Sequence, residues 1–100
     1  MAKKINWTFS ALEMLQAIHE YIEAFSEESA DKYIDRIFAF CEVFSSFPAS
    51  NPICRFEIFE QKGYRCAVFD KQYIIVYKDD IRIDIMAIVH ASRDINALKM

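Results

Sequence analysis

A chain of 100 residues stands at the small end of what buries one hydrophobic core without help, so a single domain spanning residues 1–100 is expected. With 54% hydrophobic and 15% aromatic residues it is not a disordered chain, and some of that apolar surface is available to a partner. The net charge of −3 excludes the strongly basic balance of a general nucleic-acid binder, whose affinity comes mainly from phosphate neutralisation.

The charge is uneven: four cationic residues face eight anionic ones in residues 1–50, against eight and seven in residues 51–100. No run of roughly 18 apolar residues is present to span a bilayer, and Met-Ala-Lys-Lys-Ile-Asn-Trp lacks the apolar stretch of a signal peptide. A cytoplasmic protein that makes no membrane contact is expected. Cys41, Cys54 and Cys66 are odd in number, lack CxxC spacing and lie within apolar patterns, which favours structural burial over redox or metal chemistry. His19 lies beside an apolar helix stripe without partners at ligand spacing, so it reads as structural, and no metal or cofactor is expected.

Ile5 to Phe9 alternates apolar and polar residues as a short strand does, with Ile5, Trp7 and Phe9 on one face. Ser10 and Glu13 have capping-box spacing, so Ser10 is predicted to start a helix, with Phe9 and Met14 forming a hydrophobic staple around it. Ala11, Leu12, Leu15, Ile18, Ile22 and Phe25 give that helix its apolar stripe. Ser26 is the predicted N-cap of a second helix, and Glu27 and Glu28 complement its positive end. The second stripe is Ala30, Ile34, Ile37, Cys41, Phe44 and Phe47, and Pro48 stops it. So short a break folds the two helices into an antiparallel hairpin, while Tyr33, Phe38 and Phe40, partly off the stripe, cover either the sheet ends or a partner's surface.

A loop at Ala49 to Pro52 separates helices from strands predicted at Ile53–Glu60, Tyr64–Phe69, Tyr73–Lys78 and Ile81–Val89, an antiparallel meander. A two-residue turn at Asp79-Asp80 would pair Lys78 with Ile81 and Tyr77 with Arg82. Alternation then puts Ile74, Val76, Ile81, Ile83, Ile85, Ala87 and Val89 against the helices. Tyr73, Ile75, Tyr77, Arg82, Asp84, Met86, Ile88 and His90 fall on the opposite face, a mixture of aromatic, cationic and imidazole groups where function is sought. A three-residue turn at Asp70 to Gln72 pairs Arg65 with Tyr77 on that face; a two-residue turn would bury its guanidinium at high cost.

This order of elements carries further marks: Trp7, Ala11-Leu12, Ile18 and Tyr21-Ile22 in the first half, then Ala30, Ile37 and Phe47-Pro48. In the sheet stand Gly63-Tyr64-Arg65, Tyr73-Ile74-Ile75-Val76-Tyr77 and Ile85 to Ile88, followed by His90 and Arg93. Over nearly the whole chain the pattern resembles the RelE/ParE superfamily of toxins from type II toxin–antitoxin systems. The resemblance implies an α+β fold, with an N-terminal strand and an antiparallel two-helix hairpin followed by a three- to four-stranded antiparallel sheet packed on the helices. RelE-like members cut mRNA in the ribosomal A site and ParE-like members poison DNA gyrase, and an antitoxin holds both inactive. The ending Ile88-Val89-His90-Ala91-Ser92-Arg93-Asp94 is similar to the ParE-like pattern.

Ribonucleolytic cleavage needs a base for the 2′-hydroxyl, cations for the phosphorane and an acid for the leaving oxygen. His90 or Tyr77 could exchange the protons, with Arg65, Arg82 and Arg93 supplying charge. The lysine cluster of many RelE-like nucleases is not evident, and acidic helices would be repelled by ribosomal RNA. The ParE-like reading is therefore preferred: the five residues form a target-binding surface, and they are catalytic only if the chain is a ribosome-dependent endoribonuclease. An inactive relative that retains only antitoxin binding is the third reading. The expected partners are a cognate antitoxin and DNA gyrase, or alternatively ribosome-bound mRNA, with a homodimer left open. Bland readings stand beside these, notably an Arg82–Asp84 ion pair and a structural hydrogen-bonding role for His90.

Overall fold

The computed structural model describes residues 2–92. Strand β1 (Ile5–Trp7) leads into helices α1 (Phe9–Glu23) and α2 (Glu27–Ser45), and a 3₁₀ turn (Pro48–Ser50) and a one-turn helix α3 (Glu57–Glu60) precede strands β2 (Arg65–Phe69), β3 (Tyr73–Asp79) and β4 (Ile83–His90). The sheet order is β1-β4-β3-β2, with β1 parallel to β4 and the other neighbours antiparallel. This is the expected α+β architecture, and the parallel edge follows from the helical hairpin, which carries the chain across the sheet before β4 is made.

The first helix begins earlier than expected. Its N-cap is Thr8, not Ser10: the Thr8 hydroxyl accepts from the Ala11 N–H at 3.2 Å and donates to the Ile85 carbonyl at 2.6 Å. A residue that caps the helix and also closes against β4 ends β1 at Trp7, and Phe9 is left 76% exposed instead of stapling the turn. Ser26 caps α2 as expected, accepting from the Ser29 N–H. Of the apolar stripes, Ala11, Leu15, Ile18, Ala30, Ile37, Cys41 and Phe44 are buried. Leu12, in the first turn of α1, and Phe25 and Phe47, which lie past the ends of α1 and α2, are exposed. Tyr33 packs edge-on against Phe69 and Tyr73, Phe40 against Phe69, and Phe38 against Trp7, so all three rings cover the sheet.

Two departures reshape the sheet. Ile53 to Glu60 is not a strand: Ile53 makes an isolated bridge to Arg65, and the chain then turns helically so that Phe59 is fully buried. An extended segment there would have pointed Ile58 and Phe59 to opposite sides of the sheet. In the last hairpin Asp79 pairs with Ile83 and Lys78 with Asp84, so the loop holds Asp80, Ile81 and Arg82, and Ile81, expected in the core, is 94% exposed. The observed register buries Ile83 fully and leaves Asp79 facing the Lys3 ammonium at 2.6 Å. Tyr77 then faces Ile85 while Val76 faces Ala87, leaving Met86 as an extra residue in a β-bulge.

Ile83 and Ile85 keep the expected face, whereas the wider loop turns Ile75 and Tyr77 toward the helices and Ile74 and Val76 away, and the bulge exchanges Ile88 for Ala87 and Val89. Ile75, Tyr77, Ile83, Ile85 and Ile88 pack with the helices, while Ile74, Val76, Ala87 and Val89 pack on the other side with Cys54 and Phe59. Both faces of the sheet are thus covered, the outer one by the segment around α3. The cysteines also depart from expectation, since Cys54 and Cys66 form a disulfide and Cys41 alone is a free buried thiol. The bridge from Ile53 to Arg65 brings their neighbours side by side, a proximity invisible in a spacing of 12 residues.

The cap assignment separates two nearby hydroxyls. Thr8→Ala should lower unfolding free energy by about 1 kcal/mol, whereas Ser10→Ala should change it by less than about 0.5 kcal/mol; urea denaturation of both variants measures the difference. His19 ties the hairpin together, its Nε2 lying 2.8 Å from Asp31 of α2 and its Nδ1 3.5 Å from Glu23. The hydrogen bond to Asp31 holds its pKa above the ordinary 6.5. A raised folded-state pKa means the stabilisation is fully present below pH 6.5 and fades as pH rises through the folded value. His19→Gln should therefore lose stability relative to the parent at pH 6 and lose progressively less above neutrality, as thermal unfolding across that range would register.

Candidate functional site

The hairpin register decides where the candidate side chains go. The three-residue loop Asp70–Gln72 was expected, and Arg65 does pair with Tyr77. Asp70 and Lys71 take positive φ there, at 54° and 57°, which lets Phe69 face Tyr73 directly. Because Tyr77 faces the helices, however, Arg65 lies on the helix side rather than on the opposite face.

Arg65 and Tyr77 form one unit with the loop after α2. The Arg65 guanidinium donates to the Asn51 carbonyl at 2.6 Å and the Ala49 carbonyl at 3.5 Å, and its Nε lies 3.9 Å from Asp79. Tyr77 is fully buried and stacked on Phe44 with ring centroids 4.4 Å apart. Its hydroxyl donates to the Pro48 carbonyl at 2.5 Å and accepts from the Asn51 amide at 3.1 Å, and burial pushes its pKa up. Buried and bonded on both sides within the protein, this phenol is not presented to a substrate. The pair fastens residues 48–51 to the sheet.

The other candidates lie elsewhere. Arg82 stands in the β3–β4 loop and its Nε donates to Asp84 at 3.0 Å, the solvated ion pair of the bland reading; Asp84 also accepts from Asn6 at 2.9 Å. His90 ends β4 opposite Tyr73, four residues along β3 from Tyr77, a separation of roughly 13 Å at strand rise. It is exposed, its ring stands edge-on to Tyr73, and its Nδ1 accepts from the Ser92 N–H at 3.2 Å with the Ser92 hydroxyl 2.6 Å away. Those bonds leave the proton of the neutral ring on Nε2. Arg93 lies outside the described residues. The structure therefore joins Arg65 to Tyr77 and separates both from Arg82 and His90.

The sequence reading missed what surrounds His90. An open cleft of about 460 Å³ lies between α1 and the end of the hairpin, lined by Met14, Ala17, Ile18, Tyr21, Gln72, Tyr73, Ile88 and His90. Among the described residues no strand lies beside the edge of β4 beyond Trp7, and the Ile88 N–H donates to the Met14 thioether at 3.3 Å. Tyr21, which lines the cleft and is 68% exposed, meets Phe25, 80% exposed just beyond the end of α1, edge to face. Helical spacing of Met14, Ala17, Ile18 and Tyr21 was the available signal, since it puts them on one side of α1. Among the described residues no group of three or more His, Cys, Asp or Glu side chains is arranged to hold a metal ion.

Tyr77→Phe keeps the ring on Phe44 but strips the Pro48 carbonyl and Asn51 amide of their partner, and should cost about 1–3 kcal/mol of stability. Arg82→Ala, at an exposed pair, should cost less than about 1 kcal/mol. Denaturant titration of the two variants checks the contrast between an internal fastening and a surface charge.

Comparison with known proteins agrees with the architecture. The curated protein "Putative toxin Y4kP" of Sinorhizobium fredii (strain NBRC 101917 / NGR234) is 29% identical over 89 residues, covering 89% of this chain and 88% of the relative. A solved structure titled "Chromosomal ParDE TA system from P. aeruginosa" superposes with a TM-score of 0.71 over 89% of this chain and 96% of that one, and at 18% identity it establishes likeness of fold. The model of the family described as "ParE toxin of type II toxin-antitoxin system, parDE" matches residues 5–95, and the chain belongs to that family.

Proposed function

We propose that this chain is a growth-inhibiting ParE-type toxin of the cytoplasm that binds DNA gyrase and is neutralised by a cognate antitoxin. Family membership supplies the toxin class, and the P. aeruginosa structure, by its title a ParDE system, supports an antitoxin partner. The observation that favours a binder over a nuclease is the fate of Tyr77. The phenol that would have moved a proton is buried and bonded to Pro48 and Asn51, and Arg65 is bonded to the same loop. An endoribonuclease needs proton donor, acceptor and cations around one phosphate, whereas Arg82 and His90 lie apart from each other and from Arg65. A target surface at the His90 end suits the aromatic character of the cleft, since aromatic residues are the usual anchors of protein interfaces. Among the described residues no helix is long and apolar enough to cross a membrane.

Induced expression without antitoxin, following labelled thymidine and methionine, should show thymidine incorporation falling first. Purified protein should block gyrase supercoiling, with His90→Ala and Tyr21→Ala weakening the block by roughly tenfold or more if these side chains anchor the target. Full supercoiling at saturating protein, together with codon-phased mRNA cuts in the induced cells, would replace this reading with the ribosome-dependent endoribonuclease.

A further inference from the structure

The outer face of the sheet is covered by a short segment that packs on it through Cys54, Phe59 and the partly buried Phe56, Ile58 and Tyr64. Phe59 is its one fully buried aromatic ring, set against Ile74, Val76, Ala87 and Val89, while Arg55, Glu57, Glu60, Gln61, Lys62 and Gly63 are exposed. Its one-turn helix has no side-chain cap. At its base the Cys54 N–H donates to the Tyr64 carbonyl at 2.8 Å and the Cys66 N–H to the Pro52 carbonyl at 3.1 Å, and the disulfide joins the same two chain segments. A cover this small, packed through one fully buried ring and the partly buried Phe56, Ile58 and Tyr64 above a base of two backbone bonds, depends on the covalent link to limit its open states.

We propose that the Cys54–Cys66 pair is a redox-operated clasp: oxidised, it locks residues 53–64 over the outer face of the sheet, and reduced, it lets that cover open and exposes the second core. The sulfurs are unequally placed, since Cys54 is 1% exposed and Cys66 is partly exposed. A thiolate of a dithiol reductant attacks the Cys66 Sγ, and the Cys54 Sγ leaves and takes a proton. The reductant's second thiol then attacks the mixed disulfide, releasing Cys66 as a thiol and closing its own disulfide. Two electrons and two protons pass to the pair, and an oxidised dithiol reverses the exchange. Cys41 takes no part: it is fully buried, and burial pushes its thiol up to about 12. For the resting state the inference rests on the cytoplasmic reading, because that compartment keeps thiols reduced and its rare disulfides are mostly sensing or catalytic.

Hydrogen exchange on the full chain, as the disulfide and after dithiothreitol, tests the clasp directly. Reduction should speed exchange of the Phe59, Glu60 and Lys62 amides by roughly tenfold or more, while Ile75 and Ile85 in the central strands stay protected. Equal protection in the two states, or two free thiols at Cys54 and Cys66 in the air-oxidised protein, overturns the proposal. Cys66→Ser should reproduce the reduced pattern, and reduced parent protein supplies the same state without a substitution. Rapid alkylation in growing cells should trap both thiols. A disulfide found there instead counts against the cytoplasmic resting state, and the clasp is then judged on exchange alone.

Discussion

One extra residue in one strand governs how this sheet is used. β4 would alternate regularly from Ile83 to His90 if Met86 had a partner, and every second side chain would then face the helices. With Met86 unpaired, Ile83 and Ile85 face the helices at one end of the strand and Ile88 at the other. Ala87 and Val89 are released to the outer face, where they meet Ile74 and Val76. The same chain thus supplies two cores, which is why most residues of β3 and β4 are apolar and why a cover over the outer face is needed. The bulge also lies beside the point where β1 stops, and past Trp7 the β4 edge meets α1 through its Met14.

What could be read from the sequence followed from local chemistry. Ser26 had a helix-start role that no competitor disputed, and Pro48 ended α2 for the reason expected of a residue that lacks an N–H. The register of β2 on β3 was legible because the cost of burying an arginine selected a loop length. The same argument misplaced the face, since it assumed that the helix side offered Arg65 nothing. The loop carbonyls of Ala49 and Asn51 and the carboxylate of Asp79 compensate the guanidinium there. Such carbonyls carry no side-chain signature, and nothing in the sequence announces them.

The unread parts share a cause, which is that contacts distant along the chain overrode a plausible local pattern. Ser10 and Glu13 are well spaced for a capping box, but Thr8 caps because its hydroxyl also reaches Ile85, a residue 77 positions away. Asp79-Asp80 resembles a two-residue turn, yet Lys3 and the burial of Ile83 fix the wider loop. Ile53 to Glu60 reads as a strand, yet the outer face takes Phe59 from a helical turn. The bulge has no strong local marker, and together with the wider loop it brought Ile75, Tyr77 and Ile88 of a supposed functional face into the main core.

That change of face bears on what the chain is built to do. Had the expected register held, Tyr77, Arg82 and His90 would have shared an exposed face and the case for phosphate chemistry would have been serious. In the actual register the phenol is a structural fastening and the arginine beside it holds the same loop, Arg82 is tied to Asp84, and the imidazole of His90 stands with Tyr73 and Tyr21 at the far end of the hairpin. A surface of that kind gains its energy from burying rings against another protein, and it needs no proton relay to act. The architecture thus separates its parts: polar bonds near Tyr77 hold the loop that follows the helices, a covalent link holds the cover, and the aromatic cleft beside His90 lies at the other end of the hairpin.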